Sequence, residues 1–310
     1  MEIIALYPGQ GSQQRTMGLS FYESSAQVRA LFGLASEIAK RDMHSLLAEG
    51  SDRDLTLYAQ LAITLVNRSA SLRLRELGWR FAAHSGFSLG ELSAYAASGI
   101  LDDETLFQII VQRMTLMDEM SAKAHSRYGD LAMAAAIGVG YETIAEVLRG
   151  ESIEELWPSN DNAPLQVVLS GTQAALERAR RPLSLAGVRR LIPLAVSGPF
   201  HTPLMREATT PFALYLDSLP FKEPKEVVYS STNAAVVQTS LQARANLASQ
   251  LAQPVRWKET MHALNGLDII FAEVGNGTVL SGLCKSNNTN KACMALGDEQ
   301  AIERALKDTP

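Results

Sequence analysis

Gly86-Phe87-Ser88-Leu89-Gly90 sets a serine between two glycines, with one residue on either side of it. That spacing suits a serine held as a nucleophile on a tight strand-to-helix turn, because glycine lets the backbone fold closely beneath it. The alternative is a plain Gly/Ser turn between two elements. Trp79-Arg80-Phe81-Ala82-Ala83-His84 just before it is short, apolar and partly aromatic, as a buried strand is. Leu89, Leu92, Tyr95 and Ala96 follow at helical spacing, and Gly99 would stop that helix. A helix beginning at Ser88 would aim unpaired backbone N–H groups at the reacting centre.

A serine nucleophile needs a base. His201 has the most unusual setting of the five histidines, in Val196-Ser197-Gly198-Pro199-Phe200-His201-Thr202-Pro203. Two prolines and a glycine there predict a rigid, irregular loop at a junction between two parts of the chain. Residue types alone leave His201 as either the base or a packing histidine. His44, His84, His125 and His262 read as surface or packing residues.

Arg113 is the second anomaly. It shares a helical stripe with Leu106, Ile110 and Met117, on a helix opening near Asp102-Asp103-Glu104. A charge on a buried stripe needs an anionic partner. A structural carboxylate would serve, and so would a substrate carboxylate, which the planar guanidinium fits. Gln10 and Gln13 lie in the loop Pro8-Gly9-Gln10-Gly11-Ser12-Gln13 beyond the strand Ile3–Tyr7. A backbone N–H there, with that of Leu89, could hold an oxyanion; a simple turn is the other reading.

Alternating strands and helices predict a mainly parallel sheet. A long helix carries the stripe Tyr58, Leu61, Ala62, Leu65, Val66 and Leu72 and stops at Gly78. From about Ser126 to Val196 the rhythm changes. The expected elements are strand 131–139, helix 141–148, strands 155–159 and 165–169, helix 172–186 and strand 189–195. Asn160-Asp161-Asn162-Ala163-Pro164 is expected as the turn between the middle strands. The order β-α-β-β-α-β is the split arrangement of ferredoxin-like domains. The expectation is an α/β chain with a large domain of residues 1–125 and 197–310 and an inserted small domain of residues 126–196.

The chain has 310 residues, 46% of them hydrophobic and 20% charged, with a net charge of −5. That balance fits a globular protein and carries no nucleic-acid footprint. The N-terminus lacks a basic, apolar signal-peptide pattern, and no stretch reaches transmembrane length, so a cytoplasmic location is expected. Cys284 and Cys293 have no metal-ligand spacing and are expected as free thiols. No phosphate loop, dinucleotide fingerprint or metal-binding motif is present. Arg178, Arg180, Arg181, Arg189 and Arg190 gather at one end of the small domain, as a solvated face or as a dock for an anionic partner.

Together, Pro8–Gln13, the Ser88 turn followed by Glu91, Arg113 and His201 resemble the malonyl-CoA:acyl-carrier-protein transacylase family. So do Asn160-Asp161-Asn162 with Gln166-Val167-Val168, Pro254-Val255-Arg256-Trp257, and the run from Glu273 to Leu280. The resemblance runs through nearly the whole chain. It implies an α/β-hydrolase-like large domain with a ferredoxin-like insert. It also implies transfer of malonyl from malonyl-CoA to the phosphopantetheine thiol of acyl carrier protein, for fatty-acid synthesis, by a monomer with no bound cofactor. Ser88 would carry the malonyl group and His201 would move the protons. The backbone carbonyl of Gln250 would orient His201, and the N–H groups of Gln10 and Leu89 would form the oxyanion hole. Arg113 would pair with the malonyl carboxylate, among Phe87, Phe200, Asn160, Asn162 and Gln166. Arg189, Arg190 and Lys285 are the expected carrier-binding positions. The family usually has histidine where this chain has Phe87, and Phe200 resembles malonyl-selective polyketide acyltransferase domains. A polyketide or malonate decarboxylase pathway, a general serine esterase and a non-catalytic carrier-binding module are the competing readings.

Overall fold

The computed structural model describes residues 1–195, 198–289 and 291–307. The strands are β1 (Glu2–Tyr7), β2 (Arg80–Gly86), β3 (Leu131–Ile137), β4 (Leu156–Ala163), β5 (Gln166–Thr172), β6 (Arg190–Pro193), β7 (Val228–Tyr229), β8 (Phe271–Val274) and β9 (Cys293–Leu296). They form two sheets. One is parallel throughout, in the order β7-β2-β1-β8-β9. The other is antiparallel, in the order β4-β5-β3-β6.

The parallel strands are apolar because helices cover both faces. Ile3, Ala5 and Tyr7 of β1 point into one core with the helices Ala26–Ala39, Ala59–Glu76 and Asp103–Tyr128. Ile4 and Leu6 point the other way, onto Trp257, Met261 and Leu280. A third apolar cluster lies around the antiparallel sheet, built from Ala134, Ala136, Leu169, Leu176 and Leu183. The element order over this stretch is the expected β-α-β-β-α-β. The expected boundary between 196 and 197 lies outside the described residues.

Register carries the geometry toward the site. Tyr7 pairs with Gly86, so the loop after β1 and the turn after β2 leave the sheet side by side. In open parallel sheets this carboxyl edge is where ligands bind.

Two expectations need correction. The helix after Ser88 spans Gly90–Ala97, not from Ser88, because Ser88 itself is left-handed at φ 52°. Asn160, Asp161 and Asn162 belong to β4 rather than to a turn. Asn160 pairs with Val168 and Asp161 with Val167, leaving only Pro164 and Leu165 as the connection. Asn160 also bridges Val255, so this polar stretch is an edge strand with a partner on its outer side. Among the described residues no helix is long and apolar enough to cross a membrane.

Candidate active site

Both glycines of the Ser88 pentapeptide are there because backbone crosses backbone. A Cβ on Gly86 would lie 2.0 Å from the Gly90 carbonyl, and one on Gly90 would lie 2.0 Å from the Tyr7 oxygen. The Phe87 N–H donates to that same Tyr7 oxygen at 3.0 Å. The turn is therefore clamped to β1, and Ser88 is lifted into a left-handed conformation that a non-glycine residue adopts only under constraint.

His201 lies on the loop after the antiparallel sheet, also left-handed at φ 61°. Its N–H donates to the Leu251 carbonyl at 2.8 Å, which pins the loop. The ring bridges two partners. Nε2 is 2.7 Å from Ser88 Oγ. Nδ1 lies 2.9 Å from the Gln250 carbonyl and 3.1 Å from that of Gln253. Carbonyls only accept, so Nδ1 carries the hydrogen and Nε2 is the free base facing serine. Among the described residues no carboxylate reaches His201, so a Ser-His-acid triad is not formed. Burial first, and the charge of Arg113 second, push His201 down to about 4, so the imidazole is neutral at neutral pH.

Arg113 is fully buried in the helix Asp103–Tyr128. The expected alternative of a structural carboxylate is not met: among the described residues its partners are two neutral amides. Nη1 donates to Gln60 Oε1, and Nη2 lies 3.5 Å from Gln250 Oε1. Nε has no partner. Burial lowers its pKa to about 10, which leaves it charged at neutral pH. A buried cation with an unfilled fork is costly unless an anion enters.

Ser88, His201 and Arg113 share one cavity of about 300 Å³. Gln10, Phe87, Phe200, Asn160, Asn162 and Gln166 line it too. Phe87 packs edge-on against Trp257 at 5.3 Å between ring centres, so it forms an apolar wall. Asn162 Oδ1 is buried and has no partner among the described residues, which leaves it an open acceptor. The loop after β1 is held by Asn67 Nδ2 on the Pro8 carbonyl at 2.9 Å and by Asn276 Nδ2 on that of Ser12 at 2.5 Å. Among the described residues no protein acceptor engages the N–H of Gln10 or Leu89. Arg189, Arg190 and Lys285 are exposed and are not part of the cavity. Met117, Met133, Val168, Leu194 and Leu283 add apolar lining that the sequence analysis missed. Gln60 was missed as well; its signal was a buried polar residue inside the apolar run 59–66.

A nucleophile on a strained turn, a neutral histidine and an open cationic fork can together accept and release an acyl group bearing a carboxylate. The acyl transferase domain family matches residues 5–292. The chain belongs to the acyl transferase family. This acyl transferase is 34% identical over 311 residues to the malonyl CoA-acyl carrier protein transacylase of Bacillus subtilis, across 99% of this chain and 96% of the relative. Its fold superposes on a malonyl-transacylase solved in complex with its type II polyketide acyl-carrier protein, with a TM-score of 0.93, 30% identity and complete coverage of both chains. The transacylase of Streptococcus pneumoniae gives 0.91 at 32% identity, over 99% of each chain.

Proposed function

We propose that this acyl transferase moves a malonyl group from malonyl-CoA to the phosphopantetheine thiol of acyl carrier protein, for fatty-acid synthesis. Buried Arg113 carries this reading, because among the described residues its fork has only neutral amide partners and it lines the cavity that holds Ser88 and His201. Names of relatives that match nearly the whole chain support it.

In this reading Ser88 Oγ attacks the thioester carbonyl while its proton passes to His201 Nε2. The negative charge gathers on the carbonyl oxygen, where the N–H groups of Gln10 and Leu89 receive it. The C–S bond breaks, and the departing coenzyme A sulfur takes the proton from His201. The carrier thiol then attacks the malonyl-Ser88 ester, gives its proton to His201, and Ser88 leaves with that proton. Arg113 holds the acyl carboxylate through both halves, with Phe87 and Phe200 as apolar walls. Asn160, Asn162 and Gln166 meet the polar pantetheine arm. The oriented carbonyls of Gln250 and Gln253 do for His201 what an acid does in a triad, fixing tautomer and ring direction.

The finer description of the fold belongs to the same proposal. Residues 1–125 and 197–310 form an α/β-hydrolase-like domain, and residues 126–196 a ferredoxin-like insert. The separate apolar cluster of the antiparallel sheet supports that division. Arg189, Arg190 and Lys285 offer exposed positive charge to an acidic carrier. The enzyme works as a cytoplasmic monomer with no bound cofactor.

The test is covalent labelling. Radioactive malonyl-CoA should label the wild-type chain on Ser88, and added carrier should discharge the label. Folded protein that takes no label would overturn the proposal, and rapid release to water without carrier would favour an esterase.

A further inference from the structure

Glu91 is fully buried, one residue into the helix that follows the Ser88 turn. Among the described residues no cation pairs with it. Its carboxylate accepts from Tyr95 Oη at 2.8 Å on one oxygen. The other oxygen accepts from Gln250 Nε2 at 2.9 Å, Ser231 Oγ at 3.0 Å and Thr232 Oγ1 at 3.3 Å. The three hydroxyls would suffice for a purely structural carboxylate. The amide contact does something different.

Gln250 Nε2 also donates to the Ser88 carbonyl oxygen at 3.1 Å, so both its hydrogens are used. The amide cannot turn over: that would set Oε1 against a carboxylate and a carbonyl, three acceptors facing one another. Oε1 is thereby held toward Arg113 Nη2. The guanidinium sits between two neutral oxygens, Gln60 and Gln250, while the negative charge stands one residue farther away. A carboxylate in direct contact would fill the fork and exclude the substrate. Placed behind Gln250, Glu91 still favours the charged form of Arg113.

We propose that Glu91 is a positioning residue that acts through the Gln250 side chain to aim Arg113 at the acyl carboxylate. This rests on the malonyl-transfer reading above and is distinct from the Gln250 backbone carbonyl, which faces His201.

The experiment measures initial rates of acyl transfer with malonyl-CoA and with acetyl-CoA. It uses the full chain and its Glu91→Ala, Glu91→Gln, Gln250→Met and Glu91→Ala/Gln250→Met variants. Loss of one buried, charge-assisted hydrogen bond predicts a rise of about tenfold in KM for malonyl-CoA in Glu91→Ala and in Gln250→Met. Gln250→Met also loses its bond to the Ser88 carbonyl, a loss common to both acyl groups, so the readout is the ratio of malonyl-CoA KM to acetyl-CoA KM, which should rise about tenfold in both variants because acetyl has no carboxylate to place. The double variant should be no worse than either single one, as two residues of one relay are not additive. Glu91→Gln should recover most of the loss, because its amide oxygen can face Gln250 while its NH₂ turns to Tyr95 Oη. Additive losses, or equal losses for both acyl groups, would overturn the relay. If Glu91→Ala does not fold, Gln250→Met decides alone by the same malonyl-to-acetyl comparison. A wild type that forms no malonyl-Ser88 defeats the underlying reading, whereas an active wild type with unaffected variants defeats only the relay.

Discussion

Replacing Arg113 with alanine should change two measurements at once. The guanidinium is the buried cation of the cavity, and a malonyl carboxylate bound to it would be equally desolvated. Removing one partner of such a pair costs about 3–5 kcal/mol, because the other charge is left in a dry site. At about 1.4 kcal/mol per factor of ten, kcat/KM for malonyl-CoA should fall by roughly 10² to 10³ or more. Acetyl-CoA brings no carboxylate and should lose far less. The second effect concerns His201, held at about 4 by burial and then by the Arg113 charge. A neighbouring cation disfavours a second cation, so removing it lets the histidine pKa rise toward its ordinary 6.5. The base works only when neutral. The acid limb of acetyl transfer should therefore lie near pH 4 in the wild type and move to higher pH in Arg113→Ala. Stopped-flow acylation of Ser88 with both thioesters, followed from pH 3.5 to 8 in folded protein, reads both effects. Equal losses for the two acyl groups, or an acid limb that stays in place, would refute the reasoning.

Two further outcomes concern stability. Gly90→Ala should be strongly destabilised, by roughly 2 kcal/mol or more, because the added Cβ would lie 2.0 Å from the Tyr7 carbonyl oxygen and must push strand and helix apart; thermal unfolding measures it, and an unchanged midpoint would show that the turn can relax. The depressed pKa of His201 makes stability pH-dependent in a defined direction. The unfolded chain binds this proton at about 6.5 and the folded chain only at about 4, so stability is full above that window and falls as pH drops through it. The loss attributable to His201 is on the order of 3 kcal/mol, and denaturant titrations of wild type and His201→Ala at pH 7 and pH 4.5 should differ by a large part of it.

Much of this site is legible in the chain because local rules govern it. Two glycines flanking a serine, an apolar strand before it and a helical stripe after it specify the turn without reference to distant residues. Arg113 stands out because an arginine on an apolar stripe contradicts its own neighbourhood, and His201 because its loop is too rigid to be a mere connection. Asn160-Asp161-Asn162 misled for the opposite reason. Residue types that favour turns run here as β4, paired with β5 and bridged to Val255, and that pairing is tertiary. Gln60 gives a weaker signal, a polar residue inside the apolar run 59–66, and Glu91 gives none of this kind, since a glutamate near a helix start is ordinary until its partners are known.

Sequence by itself singled out Ser88, His201 and Arg113 as candidates and gave the order in which most elements come. Backbone sterics and hydrophobic periodicity act over a few residues and can be read there. Only the tertiary structure decided what those residues face. It brings His201 to 2.7 Å from Ser88, 113 positions away in the chain. Among the described residues it gives His201 two carbonyls and no acid, and it faces Arg113 with two amides and no carboxylate. Those facts follow from the packing of distant segments against one another. The free energy of a buried charge depends on all its neighbours at once, and a linear pattern does not contain them.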